Sequence, residues 1–248
     1  MTTESDTSGE IDDVSRTWTR LGRDDPMWAV LTDRRKSRNR WSTEDFLATG
    51  ADEIRTVLDR VGRLGLEAGR GRALDFGCGA GRLSYGLAAA GFAEVLGCDI
   101  SPTMLDKARE IVPHPACRFV QVTGTDLSAV ETDSVDLVYS CRVLQHMPPV
   151  LAHGYIREFW RVAGPGALVV FQMPTQPSAS VAGRALSALP VPVARVLRRG
   201  MEMHATPEPE VHRLVESLGA RVVAADPDTS AGPRWDSRLY ITTSSCPP

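Results

Sequence analysis

Ala73-Leu74-Asp75-Phe76-Gly77-Cys78-Gly79-Ala80-Gly81-Arg82-Leu83 reads as a short apolar strand ending near an acid, then three alternate glycines, then the start of a helix. Glycines at such a place let the chain turn sharply and bring its backbone close to a ligand, while the helix that follows points free N–H groups at it. The spacing is G-x-G-x-G. A dinucleotide fingerprint, G-x-G-x-x-G, would need glycine where Arg82 stands. No G-x-x-x-x-G-K-[ST] run occurs in the chain, so a phosphate-cradling P-loop is excluded.

On either side of this stretch, apolar runs alternate with helical spacing. The pattern predicts strands over Arg72–Phe76, Glu94–Cys98, Arg118–Val122, Val135–Tyr139, Ala167–Gln172, Arg221–Ala225 and Arg238–Thr243. Helices are expected over residues 51–67, Arg82–Ala90, Pro102–Ile111, 150–162 and Glu208–Leu218. Strands alternating with helices imply right-handed crossovers and an α/β fold: a Rossmann-like, doubly wound, mainly parallel seven-stranded sheet. Ligands in such sheets bind at the carboxyl ends of the strands. Asp75, Asp99, Asp126 and the Tyr139–His146 segment share that edge.

Outside the alternation lie two further parts. Residues 1–50 form an N-terminal segment: a polar stretch over 1–12 expected to be disordered, then helical pieces around Trp18, Trp28 and Trp41 with a break at Pro26. Residues 51–248 form the main domain, with an insertion of short helices over about 173–206, marked by Pro174, Pro177, Pro190 and Pro192 and by Arg195, Arg198 and Arg199.

Taken together, these marks resemble the class I S-adenosylmethionine (SAM)-dependent methyltransferases. There an acid stands two residues before the first glycine, as Asp75 does, and a second acid at the end of strand two binds both ribose hydroxyls, as Asp99 would, followed by Ile100-Ser101-Pro102. The resemblance covers about residues 70–172. It implies SAM as cofactor and S-adenosylhomocysteine as product, held by Asp75, Gly77, Cys78, Gly79, Gly81 and Asp99. Ile100 and Met104 would sandwich the adenine, or else pack in the core. The loop Thr123-Gly124-Thr125-Asp126-Leu127-Ser128 resembles the one that reads the adenine edge, with Thr125, Asp126 and Leu127 in play and the role placed on Asp126. Ser140-Cys141-Arg142-Val143-Leu144-Gln145-His146-Met147-Pro148 resembles the segment under the methyl group in small-molecule methyltransferases. Ser140 and Cys141 would border the cofactor, and Trp28, Arg142, Gln145 and His146 the acceptor. His146 is the candidate general base, its ordinary pKa lying near neutrality; a structural hydrogen bond at the next helix is the alternative. The insertion would cover the acceptor site, which would lie between it and the N-terminal Trp-containing segment.

The same segment separates sharper chemistries. Amino-directed nucleobase enzymes resemble one another in an Asn/Asp-Pro-Pro-aromatic motif, where this chain has Ser140-Cys141-Arg142-Val143. Cysteine-nucleophile enzymes carry their cysteine near this point, commonly after proline; Cys141 follows Ser140 and reads as a small lining residue. Composition agrees with a small-molecule partner. The net charge is −3, which argues against a broad nucleic-acid footprint. The basic cluster from Arg34 to Arg40 reads first as a solvated face, then as an attractor of an anionic substrate. Five dispersed cysteines without C-x-x-C or zinc spacing suit reduced thiols, and the polar N-terminus and the lack of a long apolar run point to a cytoplasmic protein without membrane contact. No ligand set announces a metal; Mg2+ polarising a diol or sugar acceptor is compatible with the sequence but not indicated by it. Oligomeric state is open, a homodimer being one option.

The expectation is therefore methyl transfer to a small molecule, on oxygen first. That covers a natural product, a sugar or a hydroxy or carboxylate metabolite. N- or C-methylation and a non-catalytic SAM-binding regulator are the rivals.

Overall fold

The computed structural model describes residues 4–32, 34–179 and 201–245. Strands β1 (Arg72–Phe76), β2 (Glu94–Asp99), β3 (Cys117–Gln121), β4 (Val135–Ser140), β5 (Ala163–Pro177), β6 (Ala220–Asp228) and β7 (Trp235–Ser244) form one sheet in the order β3-β2-β1-β4-β5-β7-β6. The first five are parallel and β7 runs antiparallel between β5 and β6. The seven expected strands are all present, with shifted ends.

Alternation along β1 divides the core. Leu74 and Phe76 face one layer with Tyr155, Ile156 and Phe159 of α6 (Pro149–Val162) and Val211 and Val215 of α7 (Glu208–Ser217). Ala73 faces the other, with Ile54, Val57 and Val61 of α3 (Thr43–Arg63) and Leu83 and Leu87 of α4 (Arg82–Ala89). Helices α3 and α4 cross almost backbone to backbone. A Cβ on Gly50 would overlap the Arg82 carbonyl, and one on Gly86 would lie 2.6 Å from the Gly50 carbonyl oxygen. Helix α3 is capped by Ser42, whose hydroxyl accepts from the Asp45 N–H, and it runs without interruption through residue 50.

Two expectations need correction. Residues 4–12 belong to helix α1 (Glu4–Asp24), not to a disordered tail. Ile11, Val14, Trp18 and Leu21 recur at helical spacing, so the polar start is the outer face of an amphipathic helix. Its C-terminal half docks on α5 (Pro102–Ile111), where the Thr103 hydroxyl donates to the Thr19 carbonyl at 2.9 Å. Pro26 opens a short helix α2 (Pro26–Leu31). Second, β5 extends well past Gln172 through two prolines. Parallel pairing with β4 stops at Phe171, while antiparallel pairing with β7 continues to Pro177, so the ring nitrogens interrupt no central ladder. Pro190, Pro192, Arg195, Arg198 and Arg199 of the expected insertion lie outside the described residues; the part described, 201–206, runs back to the sheet, with the Thr206 N–H donating to the Pro174 carbonyl.

Candidate active site

The carboxyl ends of β1, β2 and β4 converge on the glycine loop. The N–H groups of Gly77 and Cys78 both donate to the Cys98 carbonyl, at 2.7 and 2.9 Å, which folds the loop over β2. Gly77 has φ +72° and a Cβ there would overlap Val143, so both backbone and space require glycine. Asp99 clamps the loop to the next helix: its Oδ2 accepts from the Gly79 N–H and its Oδ1 from the Ser101 N–H, both at 2.8 Å. Burial pushes its carboxyl upward and these backbone donors oppose the shift. Ser101 caps α5, its hydroxyl accepting from the Met104 N–H.

Asp75 lies behind the loop and is fully buried. Its Oδ2 accepts from the Ser84 hydroxyl at 2.6 Å, whereas Oδ1 has no hydrogen-bond partner; burial pushes its pKa up to about 7.

In front of the loop opens a cavity of about 870 Å³. Of the residues anticipated from sequence, Gly77, Gly79, Asp99, Ile100, Met104, Cys141, Trp28, Arg142, Gln145 and His146 line it. Asp75, Cys78, Gly81 and Ser140 do not; they support the loop and the end of β4 from behind. Thr125, Asp126 and Leu127 also stay off the wall. Asp126 Oδ1 accepts from the Ser128 N–H, and the buried Leu127 donates its N–H to Glu158 Oε2. The wall there is made instead by Phe76, Val122 and Tyr155, the last anchored by its hydroxyl on the Gly124 carbonyl at 2.6 Å. Sequence reasoning missed these because they read as ordinary core residues.

The opposite wall comes from the N-terminal Trp segment and the end of the expected insertion, both expected to flank the acceptor; Ile11, Val14 and the β6–β7 loop were not anticipated. Ile11, Val14 and Trp18 of α1, Met201 and Met203, and the β6–β7 loop from Ser230 to Trp235 complete the cavity. The i, i+3, i+7 spacing in α1 was the available signal. The basic cluster contributes Ser37 to this wall, while Lys36 pairs with Asp45 at 3.1 Å and lies over the Trp41 ring. The Cys141 thiol is pushed up to about 12 by burial, which suits a lining residue rather than a nucleophile.

His146 sits in a 3-10 turn (Leu144–His146) just after β4, edge-on to Trp18 with ring centroids 5.1 Å apart. Its Nδ1 lies 2.7 Å from the Glu202 carbonyl oxygen and its Nε2 3.0 Å from Gln145 Nε2. Arg142 has φ +63°, a strained conformation for a residue with a side chain, and its N–H donates to Gln172 Oε1 at 3.0 Å. Its guanidinium reaches Glu53 Oε2 at 3.5 Å.

The donor set fits a nucleoside. The Asp99 oxygens each hold one N–H and keep lone pairs for hydroxyls, next to the apolar surfaces of Ile100, Val122 and Phe76. Among the described residues no cluster of three or more His, Cys, Asp or Glu forms a metal-ligand set, and no helix is long and apolar enough to cross a membrane.

Comparison with known proteins agrees with this geometry. A methyltransferase-domain family model matches residues 73–166. The chain is 34% identical over 137 residues to trans-aconitate 2-methyltransferase of Methylobacterium radiotolerans, covering 54% of this chain and 49% of that one. It is 33% identical over 168 residues to ubiquinone biosynthesis O-methyltransferase of Xanthomonas oryzae, covering 65% and 66%. The chain thus spans about half the length of the first of these relatives. In fold it is similar to magnesium protoporphyrin IX methyltransferase of Synechocystis with bound SAH, with a TM-score of 0.64, 20% identity and coverage of 94% and 98%. Glycine loop, second-strand acid, strand order and relatives agree: the chain belongs to the class I SAM-dependent methyltransferases, and its cofactor is SAM.

Proposed function

We propose that this protein methylates a hydroxyl group of a small-molecule acceptor, with His146 as general base. The observation that carries the reading is that His146 lies on the wall of the same cavity as the glycine loop and Asp99, with one ring nitrogen already committed to a carbonyl. A carbonyl only accepts, so Nδ1 carries the proton and Nε2 is left as the basic atom.

SAM supplies an electrophilic methyl group when bound. Asp99 would receive its ribose hydroxyls, and Ile100, Val122, Phe76 and Tyr155 would enclose the adenine. The acceptor would occupy the other half, between Trp18 and Trp28, Met201 and Met203, and the loop from Ser230 to Trp235. These walls would enclose both reactants and fix their approach, which is the main contribution a protein makes to such a transfer. An acceptor hydroxyl displaces the Gln145 N–H from His146 Nε2 and gives its proton to that nitrogen as the oxygen attacks. Relatives named for a carboxylic acid and for an O-methylation support a small oxygen acceptor.

The test is a screen of hydroxyl, carboxylate, amine and carbon acceptors with methyl-labelled SAM, repeated with His146→Ala. Transfer to a hydroxyl that falls about 10²–10⁴-fold in kcat in the variant, with unchanged SAM affinity, is the expected result. Transfer to nitrogen or carbon at full rate in the variant refutes it.

A further inference from the structure

Four side chains and one main-chain donor form an unbroken chain beside the cavity. The Arg142 N–H donates to Gln172 Oε1 at 3.0 Å; Gln172 Nε2 reaches Gln145 Oε1 at 3.2 Å and Ser237 Oγ at 2.6 Å; Gln145 Nε2 meets His146 Nε2 at 3.0 Å. Gln172 and Gln145 are buried.

The direction of this chain does not depend on how the amide atoms are labelled. A main-chain N–H can only donate, so the Gln172 atom facing Arg142 must be its oxygen. A second anchor agrees. The Ser237 hydroxyl donates to the Met173 carbonyl at 3.1 Å, so its oxygen accepts from Gln172. The Gln172 nitrogen then faces Gln145, which must answer with its oxygen, and the Gln145 nitrogen faces the histidine. Nε2 must therefore carry a lone pair. At the far side of the ring the Glu202 carbonyl demands a proton on Nδ1.

We propose that Gln172, acting through Gln145, is a positioning residue that holds the His146 ring neutral, with its proton on Nδ1 and its lone pair on Nε2. A proton added at Nε2 would oppose the Gln145 N–H. Relief would require both glutamines to turn, and the last turn would set an amide N–H against that of Arg142, which is fixed in the main chain. The left-handed Arg142 is thus the reference that orients the row.

Arg142 turns its guanidinium to Glu53, and the Glu202 carboxylate lies 3.6 Å from His204 Nε2. Helix α1 brings Trp18, and β5 brings Gln172; neither titrates. The inference concerns the residue read above as the base, and it stands on geometry that can be tested without any acceptor.

The experiment is long-range 15N–1H NMR of the full chain, 15N-labelled at histidine and saturated with S-adenosylhomocysteine, with His146→Asn to assign the signal. A solvated histidine favours the proton on Nε2. The wild-type protein should show the opposite at pH 7.5, protonated Nδ1 and bare Nε2. Gln172→Glu keeps an acceptor for Arg142 but has no N–H for Gln145, which turns its oxygen to the ring. Gln145→Glu presents carboxylate directly. Each should raise the His146 titration midpoint by about one unit or more and move the acid limb of the kcat profile with it. A wild-type ring protonated on Nε2 at pH 7.5, or a midpoint unmoved in the folded variants, overturns the proposal. Should Gln172→Glu fail to fold, the wild-type tautomer and Gln145→Glu decide. The base assignment fails separately: a fully active His146→Ala removes it while the NMR result for the row stands.

Discussion

Arg82 Nη2 and Glu53 Oε2 lie 2.8 Å apart, with the arginine almost wholly removed from solvent. The pair sits where α3 and α4 touch through Gly50, one turn before Glu53. Burial works against ionisation of Glu53, yet Arg82 and Arg142 hold its carboxyl below the ordinary range, and the Tyr139 hydroxyl donates to Oε1 at 2.9 Å. Arg82 Nε and Nη1 have no hydrogen-bond partner. Removing the carboxylate leaves a buried cation uncompensated, so Glu53→Gln should cost about 3–5 kcal/mol in denaturant unfolding. Replacing both partners by leucine should recover much of that loss. A single variant as stable as the parent would show that the pair contributes little.

Asp99 offers a second test. Two hydroxyls on a carboxylate are worth about 1.5–3 kcal/mol each, so Asp99→Ala should weaken S-adenosylhomocysteine binding at least 100-fold. Asp99→Asn, which keeps one acceptor oxygen, should fall between. Calorimetry giving equal affinity for all three would remove Asp99 from the site.

Asp75 makes a prediction in pH. Its pKa rises from the ordinary carboxylate range to about 7 because burial disfavours the charge. The folded state therefore binds the proton more tightly than the unfolded one, and the contribution to stability is lost as pH rises through that window, about 1.4 kcal/mol for each unit. Asp75→Asn, neutral throughout, should gain in Tm relative to the parent on going from pH 5 to pH 8. A constant difference across that range would mean that Asp75 ionises normally.

Trp18 should matter to the acceptor and not to the cofactor. Trp18→Ala removes an edge-on partner of His146 and opens the α1 wall. The acceptor KM should rise about tenfold, the weight of one aromatic pair and part of its burial, with little change in S-adenosylhomocysteine affinity. Equal loss of both would place Trp18 on the cofactor side.

The strands, the glycine loop and Asp99 were legible because local rules determine them: apolar runs, glycine spacing and an acid at a strand end. The wall around Val122 and Tyr155 was not, since a tyrosine in α6 reaches the cavity only after that helix packs on β1. Thr125, Asp126 and Leu127 were placed on the cavity by analogy of spacing, but Glu158, some thirty residues on, takes the Leu127 N–H and turns that loop elsewhere. The row from Arg142 to His146 joins β4 to β5 and β7, and no one-dimensional pattern carries that juxtaposition. The polar start of α1 hid a helix because its charges dominate the composition while four apolar residues set its face.

That helix is tied to α5 near its C-terminal end. The Thr19 carbonyl is fixed on Thr103, and Ile11, Val14 and Trp18 project from the turns before it. Each residue turns an α-helix by about 100°, so inserting one residue between Trp18 and Thr19 would swing all three side chains off the cavity while every strand kept its register. Insertions and deletions in this arm are therefore a way to reshape one wall of the cavity without disturbing the fold that holds the cofactor.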